Sequence, residues 1–367
     1  MLSGIAICYL RADSYNREQE IDKPSKQEDR RLDELREWLA QFDDIELATL
    51  APASIDASFR RYFRVRTDKG SLIAMDAPPE REDCRPFIRV ARYLEHINLN
   101  SPRIVHAAPE QGFLLLTDLG SRQYLQELKE RPERAGELYR DALAAMLKLQ
   151  EQGRRFQSDL PPFDARLLRF EMSLFRDWLC LRHLGIELSE GDEAQWQSSM
   201  KLLVQNALDQ PKVFVHRDYH SRNLMVTGRN NPGILDFQDA VEGPLTYDLV
   251  SLLKDCYIRW PAEQVKSWAL DFHAALANRN VTTTGAAQFM RSFELMGAQR
   301  QLKAAGIFAR LYHRDGKPAY LEDVPRTLGY IVEIAPRYPE LESLAQLISE
   351  RCLPALPAAR PTAGAQH

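Results

Sequence analysis

At 367 residues the chain is long enough for two lobes with a full apolar core. Its 44% hydrophobic and 27% charged residues are those of an ordinary soluble protein, and a net charge of -4, with both signs mixed along the chain, argues against a nucleic-acid scaffold or an electrostatic membrane anchor. Cysteines at 8, 84, 180, 256 and 352, odd in number and without a CxxC, argue against a disulfide framework or a zinc site and point to reduced thiols in the cytoplasm.

No apolar run reaches the roughly 20 residues of a membrane helix. The short apolar start lacks a basic n-region and a clear cleavage site, and polar residues follow. Residues 1–27 therefore read as a disordered leader, or equally as a start codon placed too early. Leu32, Leu35, Leu39 and Phe42 then fall on one face of a helix over 30–42. Short strands are expected over 45–50, 61–66, 71–75, 104–105 and 113–116, with a turn at Asp68-Lys69-Gly70 and a helix over 80–96. Beyond Asp118 the pattern becomes helical, over 133–152, 165–184, 192–209, 246–258, 261–278, 285–305, 322–335 and 339–352. The expected organisation is α+β: an N-lobe of mixed structure over 28–117, a mainly helical C-lobe over 118–352, and a Pro- and Ala-rich disordered tail over 353–367.

The chemistry is concentrated in one interruption of the helical region. His216-Arg217-Asp218-Tyr219-His220-Ser221-Arg222-Asn223 is an H-x-D with an Asn five residues past the Asp, and Ile234-Leu235-Asp236 is an apolar strand ending in a second Asp. This is phosphotransferase apparatus: the first Asp orients or deprotonates a hydroxyl, while Asn and the second Asp hold the magnesium of ATP. Apolar residues on both sides, Val213-Phe214-Val215 and Leu224-Met225-Val226, make the loop a bend between two buried strands. The alternative, a charged surface loop, leaves the agreement of spacing, strands and second Asp unexplained.

After Asp236 the chain continues through Ala240, Gly243, Pro244, Asp248 and Leu249, and here it resembles the aminoglycoside phosphotransferase and choline-kinase-like family. The resemblance implies a bilobal protein-kinase-like fold with a small antiparallel sheet in the N-lobe and ATP in the cleft. It makes Asp218 the catalytic base and Asn223 and Asp236 the Mg2+ ligands. His216 is then a structural hydrogen-bonder, and Asp248 caps the following helix and steadies the loop. Gln238 stands where protein kinases carry the Gly of their DFG triplet, which fits the small-molecule branch.

In the N-lobe, Ser58 and the backbone around Phe59 occupy the place of the phosphate-covering hairpin, with Arg60 or Arg61 adding charge; the alternative is an exposed basic hairpin. The strand offers Met75 or Asp76 where the family has a phosphate-binding lysine, and Arg60, Arg61 or Arg64 is the available substitute. Residues 113–120 resemble the interlobe hinge, with backbone groups around Leu116 and Asp118 at the adenine edge, or a connector without ligand contact. Arg182 and His183 could wall the acceptor site beside Trp178, although core packing for Trp178 and solvent exposure for Arg182 are favoured.

Within the family, the segment from Asp56 to Arg64, Met75-Asp76-Ala77-Pro78-Pro79 and the His216 loop resemble the bacterial branch that phosphorylates N-acetylmuramate and N-acetylglucosamine at the anomeric hydroxyl in cell-wall recycling. The implied partners are an amino sugar and ATP, with no nucleic acid, membrane or obligate protein partner. Two rivals stay open. One is another small-molecule kinase of this fold, acting on an aminoglycoside, choline or homoserine; the other is a nucleotide-binding pseudokinase.

Overall fold

The computed structural model describes residues 26–55 and 59–359. The chain divides into two compact units, and its path between them is not simple. Among the described residues, one unit takes those up to Arg122 and then a return excursion, Met225–Asp239; the other takes Gln123–Leu224 and those from Ala240 onward. The expected boundary at residue 118 lies close to the first crossing and carries no sign of the excursion.

The first unit is built on a five-stranded antiparallel sheet in the order β1-β2-β3-β5-β4. Its strands are β1 (Ile45–Ile55), β2 (Arg61–Thr67), β3 (Gly70–Asp76), β4 (Ile104–Ala108) and β5 (Phe113–Thr117). Gly70, at φ 138°, opens β3 directly opposite Thr67, a conformation that favours a residue without Cβ. Side-chain alternation puts Phe63 and Val65 on the same face as Ala74, Phe113 and Leu115. That face packs against Leu35, Trp38 and Leu39 of α1 (Lys26–Leu39). Helix α2 (Arg85–His96) begins five residues later than expected, with Pro86 in its first turn, and buries Phe87, Val90, Ala91 and Leu94 at helical spacing.

The excursion is fastened to this unit by its backbone. Val226 N–H donates to the Arg122 carbonyl at 2.8 Å and Ile234 N–H to the Asn100 carbonyl at 2.7 Å. The Phe237 ring packs against Phe87 with centroids 4.7 Å apart.

The second unit is helical: α3 (Tyr124–Glu130), α4 (Ala135–Gln152), α5 (Ala165–Leu174), α6 (Glu190–Leu208), α7 (Tyr247–Leu253), α8 (Ala262–Asn278), α9 (Ala286–Asp315), α10 (Val324–Ile334) and α11 (Glu342–Gln346). Helix α9 is its axis, buried along most of its length from Ser292 to Leu311. It runs ten residues past the expected end and stops at Gly316, which takes the left-handed cap conformation at φ 62°. At Gly306 the helix lies so close to its neighbour that an added Cβ would sit 2.3 Å from the Leu174 carbonyl carbon. There the expected single helix over 165–184 changes from α to a wider π-helical stretch, Phe175–His183.

The strand before the functional loop, β6 (Lys212–Val215), pairs antiparallel with β9 (Val241–Pro244), Val215 opposite Val241. The two strands flanking the loop are therefore not each other's partners. The tail is also shorter than composition suggested: Leu353–Ala355 is helical and Leu356 is buried, while residues 360–367 lie outside the described residues. Cys84, Cys180, Cys256 and Cys352 are free and buried, and Cys180 and Cys352 approach to 3.8 Å between sulfurs. Among the described residues no helix is long and apolar enough to cross a membrane.

Candidate active site

β6 ends at Val215, and the chain then turns sharply through Arg217, whose φ of 77° is costly for a residue with a side chain. One carboxylate holds this turn. Asp248 Oδ2 accepts the His216 N–H at 2.6 Å and Oδ1 accepts the Arg217 N–H at 3.0 Å. Asp248 lies inside α7, one residue past its start, and the residue at the cap position is Thr246, so the expected capping role is not what the carboxylate does. Burial, with the charge of Asp218 adding to it, pushes the Asp248 carboxyl up to about 7 against the pull of the two backbone bonds.

The rest of the loop is tied down as firmly. His216 Nδ1 accepts the Asp218 N–H at 3.2 Å, and the Tyr219 hydroxyl donates to the Ala142 carbonyl at 2.8 Å. Asp255 accepts the Ser221 N–H at 2.9 Å and the Tyr257 N–H at 2.8 Å. The expected helix over 246–258 stops at Leu253, and this leaves Asp255 outside the helix to make those bonds. The Asn223 amide donates to the Asp218 carbonyl at 3.0 Å, which fixes the orientation of the amide and hence of its oxygen.

Under the loop lies a buried charge cluster. Arg217 donates to Glu171 at 2.5 Å, Lys303 stands 3.3 Å from the same oxygen, and Gln299 donates to the other at 3.1 Å. Lys303 also donates to the Tyr247 hydroxyl at 3.0 Å. Burial would raise the Glu171 carboxyl, but Lys303 and Arg217 outweigh it and hold it low. Asp218 is partly exposed, and its surroundings act in the same way. Burial works against its charge, yet Lys303, His220, Arg217 and Arg300 together drive its carboxyl far below the ordinary range. Asp218 is consequently an ionised acceptor at any physiological pH. Glu171, Asp255, Arg300 and Lys303 were not singled out in the sequence. The only available signal was their polarity within helices or strands otherwise made for the core.

In the first unit, Asp236 has a φ of 62° and a partly exposed carboxylate. Its Oδ1 accepts from Gln238 at 2.8 Å and lies 3.3 Å from Arg60 Nη2. Three arginines had been open as substitutes for the missing lysine, and they have different partners. Arg61 grips the buried Asp76 carboxylate through Nη2 at 2.6 Å and Nε at 3.0 Å, and Arg31 of α1 binds the other oxygen. Arg64 binds Asp118 at 2.6 Å and 3.0 Å, while Ser71 and the Gly120 N–H complete the shell of that carboxylate. Among the contacts of the described residues, Arg60 is the one of the three that is on Asp236. The Asp118 side chain is thus an anchor at the end of β5, tied to β2 and β3, and Leu116 sits within the ladder between Ile73 and Ile104. Phe59 is exposed beneath the Arg81 guanidinium at 4.8 Å, and Ser58 lies outside the described residues.

Arg182 stacks on Trp178 at 4.6 Å, and His183 Nδ1 meets His313 Nε2 at 3.2 Å. Burial and the neighbouring ring depress the His183 pKa. Among the described residues neither side chain hydrogen-bonds or ion-pairs with the loop, so these two are not brought to Asp218 by any direct bond.

Asn223 in the second unit and Asp236 in the first each carry a hard oxygen donor of the type Mg2+ takes, one or two protein oxygens sufficing for that ion beside phosphates and water. Among the described residues no cluster of three or more His, Cys, Asp or Glu side chains forms an all-protein metal cage.

Residues 49–289 match the sequence profile of the "Phosphotransferase enzyme family". The chain is 45% identical over 340 residues to the N-acetylmuramate/N-acetylglucosamine kinase of Pseudomonas aeruginosa, covering 88% of this chain and 97% of that one. It is 40% identical over 320 residues to the protein of the same name from Neisseria meningitidis, covering 86% and 94%. Among solved structures, an ADP-bound aminoglycoside phosphotransferase superposes with a TM-score of 0.55 at 17% identity, covering 81% of this chain and 97% of that one. A Plasmodium vivax ethanolamine kinase superposes with a TM-score of 0.61 at 10% identity, covering 90% and 96%. At such identities the likeness is one of fold, the bilobal protein-kinase-like α+β fold.

Replacing Asp248 by Asn turns one acceptor oxygen into an N–H2 group facing a backbone donor. Asp248→Asn should lower stability to denaturant by about 1–3 kcal/mol and cut turnover by at least roughly tenfold. Wild-type turnover at wild-type stability would show that the loop does not depend on this carboxylate.

Proposed function

The chain belongs to the phosphotransferase enzyme family, and from that premise we propose that it transfers the terminal phosphoryl group of ATP to the anomeric hydroxyl of N-acetylmuramate or N-acetylglucosamine. The product is a sugar 1-phosphate, which suits a cytoplasmic step toward UDP-sugars in peptidoglycan recycling. The observation that carries the sugar is the 40–45% identity, over 86% or more of this chain, to kinases named for those two acceptors. The observation that supports the chemistry is the ionised Asp218 on a loop clamped by Asp248 and Asp255.

In this reading Asp218 accepts a hydrogen bond from the acceptor hydroxyl, aligns it for in-line attack and takes its proton as the new O–P bond forms. A carboxylate held so strongly in its ionised form is a weak base. That is adequate here, because an anomeric hydroxyl is more acidic than an ordinary alcohol and proton transfer can come late. The Asn223 amide oxygen and the Asp236 carboxylate are the groups that would hold Mg2+, whose contribution is to neutralise charge on the phosphates. Arg60 carries the cationic role that the missing strand lysine leaves open, since Arg61 and Arg64 are committed to Asp76 and Asp118.

The decisive assay is ATP consumption with N-acetylmuramate, N-acetylglucosamine, kanamycin and choline as acceptors, with NMR of the product. A sugar 1-phosphate is expected from the amino sugars. Turnover confined to kanamycin or choline would discard the sugar, and ATP binding without turnover on any acceptor would make the chain a pseudokinase. Arg60→Gln should raise the KM for ATP by roughly 10–100-fold, the worth of one charge-assisted contact. An unchanged KM would remove Arg60 from the nucleotide site.

A further inference from the structure

Arg222 lies in the loop between Asp218 and Asn223, and the mechanism leaves it without a task. Its backbone is immobilised on both sides, by the bond from Ser221 N–H to Asp255 and by the Asn223 amide on the Asp218 carbonyl. Its guanidinium lies over the Tyr257 ring at 4.6 Å and the Tyr320 ring at 5.3 Å. Phe308 of α9 stacks with Tyr320 at 5.7 Å, and His220 meets Tyr257 edge-on at 5.4 Å. His220 Nδ1 is buried without a hydrogen-bond partner among the described residues.

The charge of Arg222 is what stands out. Among the described residues it makes no ion pair, whereas Arg217 beside it in sequence is buried on Glu171. A carboxylate close enough to feel its charge, Asp323, is bonded to Arg326 at 2.5 Å. Arg222 is partly exposed and Arg300 is buried, so of these loop-associated arginines it is the one a ligand can reach. A planar guanidinium held against aromatic rings, charged and without a carboxylate, is a receptor for a carboxylate. The rings beside it offer flat apolar surface of the kind on which the C–H face of a pyranose packs.

We propose that Arg222, framed by Tyr257 and Tyr320, binds an anionic substituent on the acceptor sugar and so sets preference among acceptors. This rests on the amino-sugar reading above. N-Acetylmuramate and N-acetylglucosamine differ by one group, the lactyl ether with its carboxylate, and Arg222 is the side chain that reads that difference. The Tyr257 and Tyr320 rings hold the guanidinium plane against them, so the carboxylate meets a group already in place.

The test measures kcat/KM for both sugars at saturating ATP and magnesium in wild type, Arg222→Gln and Arg222→Lys. The ratio of N-acetylmuramate to N-acetylglucosamine should fall roughly 10–100-fold in the Gln variant, mainly through the KM for N-acetylmuramate, and recover in part with Lys. A ratio unchanged while both sugars lose activity together would make Arg222 a structural support of the loop or a nucleotide contact, and would overturn the assignment. Wild-type silence toward both sugars would instead remove the function on which the assignment rests, a result separable from a constant ratio in an active enzyme.

Discussion

The site depends on one carboxylate accepting two consecutive backbone N–H groups. Arg217 is held at a φ that a side-chain-bearing residue seldom adopts, and Asp248 is what holds it there. That turn lets β6 stop at Val215, sends Arg217 down into the core and presents Asp218 outward. The flanking strands do not fix this turn, because they pair elsewhere, β6 with β9 and β7 (Leu224–Met225) with β8 (Gly233–Ile234).

The turn also couples stability to chemistry. Arg217 reaches Glu171 only because its backbone is inverted, and Glu171 in turn holds Lys303 in the core of α9. At Glu171 two cations face one carboxylate. Lys303 and Arg217 serve Glu171 structurally, and the same two cations, with His220 and Arg300, set the ionisation of Asp218. A buried ion pair of this kind adds little net stability, since desolvation offsets the attraction, but losing one partner is expensive. The cluster is therefore better understood as a device for poising Asp218 than as a source of folding energy.

Legibility in the sequence followed the distance over which each feature is specified. The loop motif was readable because Asp218, Asn223 and Asp236 fall within one short stretch with fixed spacing. The strands of the first unit were readable because period-2 alternation and the Asp68-Lys69-Gly70 turn are local. What the sequence hid was long-range. Glu171 on α5, Lys303 on α9 and Asp255 past the end of α7 are polar residues whose partners lie tens of residues away, and periodicity cannot tell a buried charge from a solvated one. Asp76, standing where a cationic residue was expected, made sense only when Arg31 and Arg61 were found on it. The return of Met225–Asp239 to the first unit, which places Asp236 there, had no compositional mark at all.

The central claim is that Asp218 acts on the acceptor hydroxyl and not on the nucleotide. The most direct measurement pairs ATP affinity, by calorimetry with magnesium present, with turnover in Asp218→Asn. The variant should bind ATP within about threefold of wild type while losing roughly 100-fold or more of kcat, the scale expected on removing a positioned base. Near-normal turnover, or a loss fully accounted for by weaker ATP binding, would contradict the account.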